Sequence, residues 1–185
     1  LGIFELAFKR NLLVKEKHAL DVNDSTTGLL NRKAFRQKLD EEVSRSRRIS
    51  LPLSMITIDI DGFQDLNNEV GFANADSVLK VIGALLKKTA RANDVLARIG
   101  ADEIALLLPH TNHMGAAVKA ERVRRILEST RFPAIEGRGP RKISVSVGVS
   151  EYPSFCNDAE GLIKSADEAL FQVKQAGGNR VCLAT

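Results

Sequence analysis

The chain reads as a mixed α/β domain: one sheet with helices packed on it, and a β-hairpin in mid-chain. Three patterns carry that reading. Leu53–Ile60 is an apolar run rich in β-branched residues, as a buried strand requires. Ile143, Val145, Val147 and Val149 alternate strictly, the two-residue period of a half-buried strand. Between and around them, apolar residues recur at helical spacing.

Taken in order, residues 1 to about 20 predict a helix, with Leu6, Leu13 and Leu20 seven apart and Ile3 and Leu12 widening the face. Such a helix is not stable alone. It is either a linker or a dimerising coiled-coil stub. Asp21–Thr27 is rich in turn formers and marks the start of a domain over 21–185. Leu30, Phe35, Leu39 and Val43 predict the next helix, and Leu53–Ile60 the first strand. A helix from about Ala75 to Ala90 presents Val78, Leu79, Ile82, Leu85 and Leu86 on one face. Val95–Ile99 and Ile104–Leu108 predict strands paired across a short turn. Residues 114–129 are helical, Ile143–Val149 a strand, and 158–176 a helix stopped by Gly177 and Gly178. Arg180–Leu183 is a last short strand.

The bulk properties narrow the function. At 185 residues, 44% hydrophobic and 27% charged, the chain supports one domain with a sizeable core. No apolar run approaches the roughly 20 residues that cross a bilayer, and no signal-peptide pattern is present. The chain starts at Leu1, which suggests a fragment of a longer protein, and the expected setting is cytoplasmic. Net charge +4 suits anionic ligands. With no Trp and one Tyr, nothing marks a base-stacking platform, so nucleic acid is not an expected partner. The cluster Arg45, Arg47, Arg48 predicts a solvated helix end. Cys156 and Cys182 stand apart and predict buried structural thiols in a reducing compartment. His110 and His113 lack a nearby third ligand and do not predict a metal site.

The chemistry concentrates at strand ends. ITIDIDGF delivers Asp59 and Asp61 as the first strand finishes, and RIGADEIALLLP sets Asp102 and Glu103 at a hairpin tip. If those strands are neighbours, Asp59 and Asp102 converge. Converging carboxylates repel unless a cation lies between them. Two acids around Mg²⁺ are the usual equipment for phosphoryl or nucleotidyl transfer. An acidic solvated turn is the alternative.

Four segments, DSTTGLLNRKAF (24–35), DIDGFQDLNNEVGFANAD (59–76), RANDVLARIGADEI (91–104) and SADEALFQVKQAGGNRV (165–181), occur in order over most of the chain. Together they resemble the GGDEF domain of the diguanylate cyclase family. The resemblance implies a palm-like α/β fold shared with nucleotide cyclases. It also implies an activity in active members: condensation of two GTP into cyclic di-GMP, one GTP on each half of a dimer. By that resemblance Asp59, the Ile60 carbonyl and Asp102 would hold Mg²⁺, and Glu103 would act at the 3′-hydroxyl or a second metal. Asn67 and Asp76 would read guanine, Gly100 would lie against GTP, and Lys174 would neutralise phosphate. Arg91 and Asp94 match the family's RxxD inhibitory site for cyclic di-GMP, and Arg122 matches a supporting position from a neighbouring copy. An arginine fork suits guanine O6 and N7. Read without the resemblance, Arg91 is a helix C-terminal cation.

The signature is GADEI rather than GGDEF. In a two-residue hairpin turn both central positions commonly need φ > 0. There Ala101 would cost roughly 1 kcal/mol or more. Ile104 replaces Phe and Phe72 replaces a common His. Gln64 and Gly178 stand where the family usually has Lys and Arg, which removes cations from a triphosphate site. The expectation is a degenerate domain that binds cyclic di-GMP as a receptor. The alternatives are an active, product-inhibited cyclase, or a domain that binds GTP or a partner protein. A homodimer or a partner protein is expected.

Overall fold

The apolar runs become strands because helices cover the sheet on both sides. The computed structural model describes residues 22–132 and 142–185. The helix expected over 1–20 lies outside the described residues. Elements follow in the order α1 (Arg32–Ile49), β1 (Leu53–Ile60), α2 (Phe63–Val70), α3 (Phe72–Thr89), β2 (Val95–Arg98), β3 (Glu103–Pro109), α4 (His113–Ser129), β4 (Val145–Tyr152), α5 (Ala159–Gln175) and β5 (Val181–Leu183). The sheet order is β2-β3-β1-β4-β5. All pairings are antiparallel except β4 with β5.

Alternation along β1 assigns the two faces. Ile56, Ile58 and Ile60 join α3 and α4 in one core, with Ile104, Leu106 and Val147. Leu53 and Met55 join α1 and α5 in the other, with Leu107 and Leu162. Caps fix the helix starts: Asn31, Asn112 and Asp158 accept from Ala34, Gly115 and Gly161 backbone N–H groups. No described helix is long and apolar enough to cross a membrane.

Three expectations need correction. The 75–90 helix begins earlier, at Phe72. It is preceded by α2, whose Phe63, Leu66 and Val70 are buried at helical spacing. The strand around Ile143–Val149 is not half-buried: every residue of β4 is buried. Its second face carries the small residues Ser146, Gly148 and Ser150, on which α5 lies closely. Cys156 and Cys182 are half-buried rather than buried, and both are free. Burial pushes the Cys156 thiol up to about 11.

Candidate functional site

The neighbour relation the sequence required is present. β1 and β3 pair so that Asp59 lies opposite Glu103, with Ser146 of β4 on its other side. The Ile60 N–H donates to the Asp102 carbonyl (3.2 Å), which fastens the hairpin tip to the end of β1. Asp59, Ile60 and Asp102 therefore border one open hollow of about 500 Å³, with Gln64, Lys174 and Gly178. The Ile60 side chain is buried in the core, so the hollow is offered its backbone.

Asp59 is only 5% exposed. Burial raises its pKa; the Lys174 ammonium, 2.6 Å from Oδ2, opposes that, and Asp102 and Glu103 raise it further. Asp61 has a different task from Asp59. Its carboxylate accepts from Ser144 Oγ (2.7 Å), Ser146 Oγ (2.6 Å) and the Asn179 N–H (3.1 Å). It ties the β1 end to the segment before β5.

Two carboxylates and a carbonyl suit Mg²⁺, which keeps several waters and takes phosphate oxygens rather than a full protein cage. Among the described residues no group of three or more His, Cys, Asp or Glu side chains is arranged to hold a metal. The repulsion around Asp59 is what a cation in the hollow would relieve. A consequence for stability follows with a definite sign. Because folding raises the Asp59 pKa, its charge costs stability above that pKa and costs nothing once both states are protonated. Asp59→Asn is expected to raise the metal-free melting temperature at pH 7, with the gain fading as pH falls through the carboxylate range. A midpoint that drops at pH 7 would refute this.

The hairpin tip differs from the expected two-residue turn. Residues 99–102 form the connection, with the N–H groups of Ile99 (2.9 Å) and Gly100 (3.3 Å) both donating to the Glu103 carbonyl. Neither Gly100 nor Ala101 has positive φ. The longer loop makes its turn without left-handed backbone, so Ala101 carries no penalty of that kind. Arg98 organises the tip. Its Nε donates to the Gly100 carbonyl (3.1 Å) and its Nη2 to the Ala101 carbonyl (2.7 Å). Its Nη1 pairs with Asp24 Oδ2 (3.3 Å), and Asp24 in turn accepts from the Thr27 N–H and hydroxyl. Burial works against the Asp24 charge, but the Thr27 and Arg98 bonds prevail and lower its pKa. Arg98→Ala strands two loop carbonyls and a half-buried carboxylate. It is expected to cost about 2 kcal/mol and to speed amide exchange over 99–103. Unchanged protection there would refute the role.

Glu103 is placed apart from Asp102. It opens into a neighbouring hollow of about 290 Å³ with Arg32, Met55 and Asp167. There burial, then the Glu103 charge, raises the Asp167 pKa. A Cβ on Gly100 would lie 2.6 Å from Glu103 Oε2, so the glycine leaves room for that side chain. Asn67 and Asp76 lie on α2 and α3 and do not border the Asp59 hollow.

The RxxD pair follows α3. The Arg91 N–H donates to Asp94 Oδ2 (2.8 Å), closing a short turn. Asp94 also pairs with Lys119 of α4. Arg91 is exposed, and no described residue bonds its guanidinium. It lies beyond the Ala90 cap, with Lys87 and Lys88 in the last turn, so the helix-dipole reading falls to those lysines. Arg122 is exposed one turn beyond Lys119. Elsewhere, Arg47 is less free than expected, donating to the Tyr152 hydroxyl and the Asn157 carbonyl. His113 pairs with Glu151. Arg98, Lys119 and Asp167 were not singled out from the sequence. Only Arg98, two residues before Gly100, carried a signal, since a cation beside a turn can hold its carbonyls.

Residues 22–180 match the family model described as "Diguanylate cyclase, GGDEF domain". The chain is 34% identical over 166 residues to the response regulator PleD of Caulobacter vibrioides, covering 89% of this chain and 37% of that protein. It is 35% identical over 179 residues to diguanylate cyclase DgcP of Pseudomonas aeruginosa, covering 96% and 26%. The chain thus spans well under half of either relative. Among solved structures, it superposes on the coiled coil and GGDEF domain of DgcB from Caulobacter crescentus, in complex with c-di-GMP, with TM-score 0.90. Identity there is 25%, over 99% of this chain and 95% of that one. It superposes on diguanylate cyclase SiaD in complex with its activator SiaC, from P. aeruginosa, with TM-score 0.84 and 29% identity, over 99% and 69%. The chain belongs to the GGDEF domain family of diguanylate cyclases.

Proposed function

We propose that this domain is a cyclic di-GMP receptor in bacterial second-messenger signalling, with a degenerate nucleotide site. One contrast carries the reading. Lys174, the sole cation among the residues bordering the Asp59 hollow, is already bonded to Asp59, whereas Arg91 stands exposed with no described partner for its guanidinium. Gln64 and Gly178 bring no charge to a triphosphate, while an arginine fork is suited to guanine O6 and N7. In this reading the domain acts in the cytoplasm. Arg91, with Arg122 of a second copy, binds the dinucleotide in a homodimer. Asp59, Asp102 and the Ile60 carbonyl retain the capacity to bind Mg²⁺, with Asn67 and Asp76 at a vestigial guanine site.

A specific observation favours a second reading, an active, product-inhibited cyclase. Asp59 and Asp102 share one hollow, and Ala101 has ordinary backbone geometry. A third, a GTP- or partner-binding regulator, draws on the likeness to SiaD, which was solved with its activator.

One preparation separates them. Stripped of nucleotide, the protein is titrated with cyclic di-GMP by calorimetry and incubated with GTP and Mg²⁺. Binding without turnover is expected. Turnover that vanishes in Asp102→Ala would make the domain a cyclase, and absence of both would leave the third reading.

A further inference from the structure

Asp59, Asp61 and Asp102 bring carboxylates to the hollow from the strand ends, and Asp65 borders it from α2. Asp61 is set apart by what holds it. Ser144 Oγ donates to its Oδ2 (2.7 Å) and Ser146 Oγ to its Oδ1 (2.6 Å), so both oxygens are engaged. The Asn179 N–H is a third donor, on Oδ2 (3.1 Å). Ser146 is fully buried. If Asp61 turned toward a cation, that hydroxyl would be stranded away from water. Asn179 is itself fixed from α4. Its φ is +50°, in the left-handed region. Its Oδ1 accepts from Arg124 Nη1 (2.7 Å), and its Nδ2 donates to Glu128 Oε1 (2.8 Å). Arg124 is held in turn by Glu121 and Glu128. Asp61 thus spends its charge on protein donors, although it lies two residues from Asp59.

We propose that Ser144, Ser146 and Asn179 set the cation preference of this hollow by withholding Asp61 from the coordination shell, with Arg124 positioning Asn179. The strand ends then offer two carboxylates and the Ile60 carbonyl. That small set suits Mg²⁺, which keeps its waters and demands strict geometry. A further carboxylate favours Ca²⁺, which takes more oxygens in a looser arrangement. This rests on the reading above that Asp59 and Asp102 retain the capacity to bind a cation.

The readout is the ratio of Ca²⁺ to Mg²⁺ affinity, from calorimetric titration of the nucleotide-free protein with CaCl₂ and with MgCl₂. A charge acting through space shifts both divalent ions together and leaves the ratio alone. A change in the coordination shell moves it. Asp61→Asn alone is expected to change the ratio by less than about twofold, because Asp61 is not a ligand. Ser144→Ala combined with Ser146→Ala frees the carboxylate and is expected to move the ratio toward Ca²⁺ by about tenfold. Adding Asp61→Asn to that pair is expected to abolish the shift. Asn179→Gly keeps the left-handed backbone but drops the Arg124 contact, and is expected to move the ratio the same way by about threefold. A change of about tenfold in Asp61→Asn alone would mean that Asp61 already ligates. It would overturn the inference whether or not the serine variant folds. An unmoved ratio in a folded serine variant would overturn it too. Wild-type protein that binds neither ion would instead remove the cation reading, and this inference with it.

Discussion

Replacing Arg91 with alanine is expected to weaken cyclic di-GMP binding by about a hundredfold while leaving the fold unchanged. A bidentate arginine on guanine is worth about 1–3 kcal/mol of discrimination. In the receptor reading the guanidinium also meets a dianionic ligand, so the upper end of that range applies, and about 2.8 kcal/mol is a hundredfold. The fold should not notice. Arg91 is exposed, its guanidinium has no described partner, and surface changes of that kind stay within about 0.5 kcal/mol. The bond that shapes the turn comes from the Arg91 backbone N–H, which alanine keeps. Arg91→Lys sharpens the result: it retains charge but not the fork, and should recover only part of the lost affinity. Calorimetry reads affinity and a denaturant midpoint reads the fold. Unchanged affinity in Arg91→Ala would sink the receptor reading.

Much of the fold was legible because single segments declared it. Leu53–Ile60 had no reading other than a buried strand, and β1 spans those residues. The two glycines after residue 176 stopped α5 as expected; both have positive φ. What was not legible depends on partners distant in sequence. The burial of β4 on both faces needed α5, which fits only because Gly148 has no side chain. The penalty for Ala101 presumes a two-residue turn, whereas four residues, 99–102, join β2 to β3, with Arg98 bonded to their carbonyls and to Asp24. The α2 helix was hidden because its eight residues lie between Gly62 and Gly71, in a segment read for its acids rather than its apolar spacing. In the site, Asp59 and Asp102 could be paired from strand ends. That Lys174 rests on Asp59, or Lys119 on Asp94, could not, since ion pairs leave no periodicity.

The largest effect on stability is expected at Gly148, far from any charge. It lies on β4 opposite Thr57 of β1. A Cβ built there would lie 2.2 Å from the Ala166 carbonyl oxygen and 2.6 Å from the Leu170 nitrogen. Both are backbone atoms of α5, so no side chain can swing aside and the helix itself must lift. Overpacking of this kind costs about 3 kcal/mol, a large share of a domain's stability. Gly177→Ala is the control. Nothing lies within 4 Å of a Cβ there, but φ is +96°, so its cost is backbone strain alone, about 1–2 kcal/mol. The midpoint should therefore fall further for Gly148→Ala than for Gly177→Ala, with the denaturant slope unchanged. Equal losses would mean that α5 does not lie against β4 as closely as described. The site should respond as well, because α5 carries Lys174 to Asp59 and Asp167 to the Glu103 hollow. A helix lifted from β4 draws that ammonium away from a nearly buried carboxylate. The small residues of β4 thus hold the charge balance of the Asp59 hollow, although their own side chains carry no charge.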